Sequence, residues 1–564
     1  MGHPYENLDS FTLLNLFERS VGLYPDNPLC GFVGGDTITY IEYKQKVDAA
    51  VSLLREHGIA EGDKVVILGE NSPHWGVAYF AITSIGAVAV PVLVDFHPNE
   101  IHHIIRHSEA KAAFISQKFA PTLLECKHSP INFVIALESL KEIKELSNQG
   151  YIAQIRQKTK EMTQKLSKNH QYYRPKEDDL AVIIYTSGTT GHSKGVMLTH
   201  KNLVTNAMSA FVVIDILPED VFLSILPLAH TFECTVGLLV PLLHGCSIYY
   251  VDKAPTPSVL LKAFEIVKPT MMLSVPLVIE KIYKNRVLSK INDSAITRNL
   301  YKLPFFRKQL NKIAGKKLIQ TFGGRIRFFG IGGAALPRYV EEFLYEAEFP
   351  YVVGYGLTET APLLAGTPIH AKRKLGSTGP AVYGVELKLR HVNPQSGEGE
   401  ICAKSPSIMR GYYKDDQKTQ EVFEDGWFLT GDLGIIDEDG YLFISGRSKN
   451  VIVGPSGENI YPEQIESIIN QSPTVLDSLV LERNGRLVAL IHLDYELIDK
   501  MFHGESRASS EVLKGIESHL EELRTELNTK VSSYSRITKF IEQTDPFIKT
   551  PTKKIKRFIY MQKG

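Results

Sequence analysis

The sequence predicts an α/β protein: a large N-terminal domain of sheets flanked by helices, followed by a small C-terminal domain. Three observations carry this. At 564 residues the chain is too long for a single hydrophobic core. Short apolar runs alternate with helix-prone segments, first in "GDKVVILGENSPHWGVAYFAITSIGAVAVPVL" at residues 62–93, the βαβ rhythm of a parallel sheet with helices on its faces. The alternation continues to about Phe443, where "YLFISGRSKNVIVGPSGENIYPEQIESIIN" interposes glycines and a proline before a helix expected over 462–470. The division falls within 445–449, giving domains 1–445 and 446–564.

Taken in order, 62–93 reads as strand, polar turn, helix and strand. Residues 141–175 are charged and helix-prone with little apolar periodicity, as in a solvated surface helix or a linker. An apolar strand over 181–185 then leads into the loop of "IIYTSGTTGHSKGVMLTH", 183–200, and a helix is expected to start near 200–202. After the second-domain helix, pieces such as "SLVLERNGRLVALIHL" (478–493) read as further βαβ-like alternation. No internal repeat or low-complexity tract interrupts the pattern.

Composition excludes several classes. Lys+Arg and Asp+Glu balance at 63 each, so no global field draws the chain to nucleic acid. The five cysteines (Cys30, Cys126, Cys234, Cys246, Cys402) lack metal-type spacing, which argues against zinc and a disulfide framework and suits the reducing cytoplasm. The start lacks the basic and apolar regions of a signal peptide, Glu6 stands where myristoylation needs Ser or Thr, and no apolar segment is long enough to span a bilayer. One local bias stands out. Between Asp293 and Glu341 there is no acidic residue, while Arg298, Lys302, Arg307, Lys308, Lys312, Lys316 and Lys317 are interleaved with Tyr301, Leu303, Phe305, Phe306, Leu310 and Ile313. This reads either as a basic amphipathic helix for peripheral contact with an anionic membrane, at the inner membrane face, or as a solvated basic face packed on its own domain.

The loop at 186–194 sets the chemistry. Thr186, Ser187, Gly188, Thr189, Thr190 and Gly191 put small hydroxyl and backbone donors behind a buried strand, and Lys194 follows, an arrangement that points many donors at one anion, a phosphate. It is not a Walker A motif, which needs a hydroxyl after the lysine; Gly195 stands there. The T-S-G-T-T-G-x-x-K-G spacing resembles instead the phosphate loop of the adenylate-forming superfamily of acyl-CoA synthetases, luciferases and peptide-synthetase adenylation domains.

Five further motifs of that superfamily are present. "GYGLTETAP" (354–362) resembles its adenylate signature: Tyr355 and Gly356 at the adenine, Thr358 with a hydroxyl for phosphate, and Glu359, with Thr186, as the expected magnesium site. "GIGGAAL" (330–336) is similar to the glycine turn lining the adenine, with Gly333 and Ala334. The resemblance makes Asp432 of "WFLTGDLG" the acceptor of the ribose hydroxyls, Arg447 of "GRSKNVIV" a second ribose contact, and Lys449 the hinge. "KTPTKKIKR" (549–557) places Lys554 as the catalytic lysine, with Lys553 the alternative register. Ser193, Asn450 and Lys553 depart from the usual proline, aspartate and glycine.

"LPLAHTFECTVGLLVPLLHGC" (226–246) resembles the acyl segment of long-chain acyl-CoA synthetases, with His230 at the acyl mouth. The apolar residues after it fit an alkyl channel or ordinary core packing, and the position of an aromatic gate in some relatives is Cys234 here. The segment 291–320 also looks like the long-chain enzymes, no aspartate follows His230 to hold an amino acid's ammonium, and the chain ends at Gly564 without a carrier domain. The resemblance implies a fatty acid, ATP, Mg2+ and coenzyme A as reactants, an acyl-AMP intermediate, and a mobile α+β C-terminal domain that withdraws Lys554 for the second step. An acyl-carrier protein as thiol acceptor fits the same residues.

Overall fold

The computed structural model describes residues 8–147, 173–186, 193–454, 458–502, 509–550 and 554–561. Two eight-stranded sheets build the larger part. One runs Gly411–Tyr412, Lys194–Thr199, Leu180–Thr186, Val88–Val92, Lys64–Leu68, Ala112–Ile115, Phe133–Ala136, Lys141–Glu142. Its five middle strands are parallel and almost wholly apolar, as strands covered on both faces must be. The expected unit at 62–93 is present, with Lys64–Leu68 and Val88–Val92 paired in parallel around the helix Pro73–Ser84. That helix starts where the Ser72 side chain accepts from the Trp75 N–H, with Pro73 in its first turn. It is apolar nearly all round because it lies inside the common core, with Trp75, Tyr79 and Phe80 fully buried.

The second sheet has the order Leu363–Gly366, Tyr351–Gly356, Phe328–Ile331, Met271–Ser274, Val221–Ser224, Ser247–Tyr250, Pro28–Phe32, Thr37–Thr39, antiparallel only at its two edges. Side chains alternate across it. Met271, Leu273 and Phe328 face the core shared with the first sheet or a cavity within it, and Met272 and Phe329 face the helices Pro304–Thr321 and Arg338–Glu346 on the other side. A six-stranded antiparallel sheet follows, and its hairpin of Trp427–Ile436 with Leu442–Arg447 sets Asp432 opposite Arg447. The strand Leu442–Arg447 spans the expected division at 445/446.

The helix after the phosphate loop begins where expected, as His200–Ser209, and is preceded by a strand, Lys194–Thr199, paired antiparallel with Leu180–Thr186. One local expectation is corrected. "SLVLERNGRLVALIHL" forms a tight antiparallel hairpin, Val475–Arg483 with Arg486–Leu493, whose turn residues Asn484 and Gly485 both have positive φ, the geometry that Asn-Gly favours. The βαβ unit comes one strand later: Arg486–Leu493 pairs in parallel with Lys539–Glu542 after the helix Ser509–Lys530. The helix Pro462–Ile469 lies where expected and packs Ile465 and Ile469 into this unit's own core. Most of 141–175 lies outside the described residues. Among the described residues no helix is long and apolar enough to cross a membrane.

Candidate active site

The site lies where the parallel strands of both sheets end, the usual position for a ligand in an α/β protein. Tyr351–Gly356 turns back into Leu363–Gly366 through a short loop carrying Thr358 and Glu359. Gly356 is needed at this turn, since a Cβ there would lie 1.8 Å from the Pro362 carbonyl oxygen. Glu359 is half-buried and fixed twice: Oε1 accepts from the Tyr412 hydroxyl at 2.9 Å, and its carbonyl accepts from the Met409 N–H at 2.8 Å. Tyr412 belongs to the first sheet, paired opposite Val196, so this contact stitches the two sheets together. Lys194 pairs across the hairpin with Thr186, and its Nζ lies over the Tyr412 ring, 5.1 Å from the centroid. Burial, with Lys418 and Lys449 nearby, holds the Lys194 ammonium below the usual lysine range against the pull of Glu359. Ser187, Gly188, Thr189, Thr190 and Gly191 lie outside the described residues.

On the opposite wall Asp432 joins two expected partners. Its Oδ1 is 2.7 Å from Arg447 Nε, and its Oδ2 accepts from the Tyr355 hydroxyl at 2.7 Å. Burial pushes the Asp432 carboxyl up, while Arg447, Tyr355 and Lys554 pull it down. Burial works to lower Arg447, but Asp432, Tyr355, Glu359 and Glu463 together outweigh it and the guanidinium is raised. The Tyr355 ring is thus pinned by its hydroxyl as a wall, and a carboxylate oxygen is presented where two ribose hydroxyls can donate. Gly333 takes a left-handed backbone (φ +84) and is exposed with Ala334 at the rim.

Lys554 reaches the same cleft from the C-terminal unit, on a short hairpin in which its carbonyl accepts from Thr550 N–H at 2.7 Å. The hairpin tip, including Lys553, lies outside the described residues. The Lys554 side chain keeps solvent contact, yet its surroundings are crowded enough that burial and Arg447 lower it, against Asp432 and Glu359. His230 faces the same space: burial first, then the Lys554 charge, pushes it down to about 4. The imidazole is therefore neutral, and because Nδ1 accepts from the Phe232 N–H at 3.3 Å, the proton sits on Nε2. Lys449 lies on the single turn Ser448–Asn450 between the two units.

An apolar cavity of about 40 Å³ lies in the core here, with Phe232 and Val236 on one side and Leu273, Gly330 and Gly354 on the other. Its deep end is floored by Phe222, Met271 and Phe328, neighbours in register on three parallel strands. Gly330 hollows the middle, since a Cβ there would stand 2.8 Å from Leu273 Cδ2. The wall opposite is a π-helix, Glu233–Leu239, which turns Cys234 into the core, while the Phe232 ring lies against Gly332.

Sequence reasoning missed three positions. Tyr412 is invisible because its strand pairs with residues more than two hundred positions earlier; the adjacent tyrosines after Gly411 were its only mark. Glu233 is buried, accepts from Ser224 Oγ at 2.6 Å, and is pushed up by burial to about 8, so it is a neutral acid. Asn71 completes that network, donating to Ser224 Oγ at 3.0 Å and to the Leu226 carbonyl at 2.6 Å, which steadies the segment leading to His230.

Residues 17–413 match the family described as AMP-binding enzyme. Long chain acyl-CoA synthetase 1 of Arabidopsis thaliana is 31% identical, over 88% of this chain and 81% of its own. Long chain acyl-CoA synthetase 6, peroxisomal, of the same plant is 30% identical over 91% and 76%. Fatty acyl-CoA synthetase A of Dictyostelium discoideum is 28% identical over 92% and 83%. Among solved structures, an ATP-bound RpMatB-BxBclM chimera superposes with a TM-score of 0.75 at 24% identity, covering 97% of this chain and 98% of that one. The O-succinylbenzoate coenzyme A synthetase of Bacillus subtilis, in complex with ATP and magnesium, gives 0.73 at 22%, covering 96% and 98%.

Proposed function

The chain belongs to the family of AMP-binding enzymes, and from that membership we propose that it activates a long-chain fatty acid with ATP and transfers the acyl group to coenzyme A. The observation that carries the substrate class is the apolar cavity, whose lining includes Phe232, two residues after His230, and Gly354, next to Tyr355.

In the first step the carboxylate attacks the α-phosphorus of ATP, the bond to the β-phosphate breaks, and pyrophosphate leaves. Lys554 neutralises the two approaching anions, Thr186 to Lys194 hold the outer phosphates, Thr358 donates to phosphate, and Asp432 with Arg447 holds the ribose. The neutral His230 directs its Nε2 proton toward the acyl mouth. Such chemistry is mostly positioning and charge stabilisation. In the second step the C-terminal unit, 446–564, turns about Lys449, Lys554 leaves, the coenzyme A thiol attacks the acyl carbonyl and AMP departs.

Among the described residues no group of three or more His, Cys, Asp or Glu is placed to hold a metal ion. Glu359 and Thr186 offer the hard oxygen donors that magnesium takes, since it binds through one or two protein oxygens plus substrate phosphates and water. When bound, Mg2+ screens the phosphate charge. Five buried, unpaired cysteines support a cytoplasmic location.

The helices Ala295–Tyr301 and Pro304–Thr321 supply a lipid-facing surface. Ile296 and Phe305 are 74% and 70% exposed, Phe306 and Ile313 also face outward, and Lys302, Lys308, Lys316 and Lys317 surround them. Arg307 and Lys312 do not share this role, because they pair with Glu346 at the end of the neighbouring helix and with Glu348 just beyond it. Reversing Lys302, Lys308, Lys316 and Lys317 to Glu abolishes co-sedimentation with anionic vesicles if this face docks, and leaves it unchanged if it does not.

The decisive experiment follows pyrophosphate release over acids of graded length, with coenzyme A or an acyl-carrier protein as acceptor. Each buried methylene is worth roughly 0.8 kcal/mol, so kcat/KM climbs about fourfold per carbon until the cavity is full. A maximum at acetate or propionate refutes the substrate class, and thioester on carrier protein alone refutes the acceptor.

A further inference from the structure

The helix Pro462–Ile469 is the C-terminal unit's handle on the rest of the chain. At its start the Tyr461 hydroxyl donates to Glu398 Oε2, and Asn459 Nδ2 reaches the same oxygen at 3.4 Å. Glu398 immediately precedes the strand Gly399–Lys404 of the antiparallel sheet. In the first turn Gln464 Nε2 donates to the Ser445 carbonyl at 3.0 Å. At the far end Lys284 Nζ donates to the Asn470 carbonyl at 2.6 Å, placing an ammonium on the negative end of the helix dipole. Lys284 is itself held by Glu280 at 3.0 Å, and Glu280 accepts from the Tyr339 hydroxyl at 2.5 Å.

The inner side of the same helix carries the contact to Lys554. Glu466 pairs with Arg557 and accepts from the Val480 N–H at 2.7 Å, while Glu463 lies 3.5 Å from Arg557 Nε. Arg557 follows Lys554 by three residues. Glu463 also accepts from Asn450 Nδ2 at 2.6 Å, so the turn holding Lys449 is tied to this helix as well. An aspartate at 450 would set two carboxylates against each other there; the asparagine supplies a donor.

We infer that Lys284 and Glu398 are positioning residues for the first half-reaction: by clamping the helix Pro462–Ile469 at both ends they fix, through Arg557, the placement of Lys554 in the cleft. Neither side chain belongs to the cleft that Lys554 enters. The inference rests on the proposed two-step reaction, with the clamp closed for adenylation and released for thioester formation.

The test uses the full chain and two separate assays: acyl-AMP formation without coenzyme A, and thioester formation from pre-made acyl-AMP. Lys284→Met removes the ammonium from the Asn470 carbonyl and from Glu280, Glu398→Gln removes the charge to which Tyr461 and Asn459 donate, and each slows adenylation about three- to tenfold. Thioester formation in the same variants stays at the wild-type rate or rises, which also certifies folding. Lys284→Arg, which keeps the ammonium-to-carbonyl contact in kind, remains within about twofold of wild type. Equal losses in both half-reactions, or adenylation unchanged in both variants, overturn the clamp. Wild-type protein that forms no acyl-AMP from any acid overturns the proposed function itself, a result read without either variant.

Discussion

Replacing Tyr412 by Phe deletes a single hydroxyl, the donor that holds Glu359 Oε1 at 2.9 Å, and leaves the ring beneath Lys194 in place. A hydrogen bond to a charged acceptor contributes about 1.5–3 kcal/mol. Tyr412 is only 5% exposed, but Glu359 borders the open cleft and water can take up its freed oxygen, so the lower end applies. About 1.5 kcal/mol corresponds to roughly a tenfold loss in kcat/KM for ATP. Since the lost contact orients the carboxylate assigned to magnesium, the Mg2+ concentration for half-maximal pyrophosphate release should rise together with that loss. The assay is pyrophosphate release at saturating fatty acid while Mg2+ is titrated, repeated in a Glu359→Gln background. If Tyr412 acts through Glu359, the second substitution costs little once the first is made. A full tenfold loss in both backgrounds, or an unchanged Mg2+ requirement, refutes the assignment.

Four other outcomes follow. Lys554→Ala should cut acyl-AMP formation on the order of a hundredfold to a thousandfold while sparing thioester formation from pre-made acyl-AMP. Because its ammonium is held below the usual lysine value, wild-type adenylation should also fade on the alkaline side before an ordinary lysine titrates near about 10.4. Gly330→Leu should shift the preferred acid to shorter chains with short acids still adenylated, since even its Cβ meets Leu273 at 2.8 Å; an unchanged length profile in folded protein would sink the assignment of this cavity. His200, His230 and His244 are each held down to about 4 by burial, so the folded form resists protonation that the unfolded chain accepts near about 6.5. Stability is therefore present above that value and lost as pH falls toward 4, with proton uptake on unfolding measurable by calorimetry in buffers of different ionisation enthalpy.

Much of the site was legible in the sequence because its residues sit in contiguous motifs whose chemistry is local. Tyr355, Asp432 and Arg447 were picked separately and meet within 2.7 Å contacts. The βαβ unit at 62–93 was legible because apolar strands around an apolar helix alternate with clear turn signals. What failed shares one cause, the lack of long-range pairing information. "KGVMLT" is a short apolar run that periodicity alone cannot separate from a helix start, and only its pairing with Leu180–Thr186 makes it a strand. The basic stretch gave no sign that Glu346 and Glu348 would claim Arg307 and Lys312. The sequence marked Cys234 where some relatives carry an aromatic gate but could not show that the Phe232 ring, two residues earlier, would lie against Gly332.

The alternation of side chains across the second sheet separates two properties that lipid enzymes often combine. Phe328 and Phe329 are adjacent in the chain, yet the first floors the cavity and the second supports the helices of the proposed lipid-facing surface. A substitution that lengthens or shortens the bound hydrocarbon acts on one side of a hydrogen-bonded sheet. A substitution that alters residence on a bilayer acts on the other. Selection can therefore retune which acids are consumed without changing where the enzyme works, and the reverse, each by single residues and without a compensating change across the sheet.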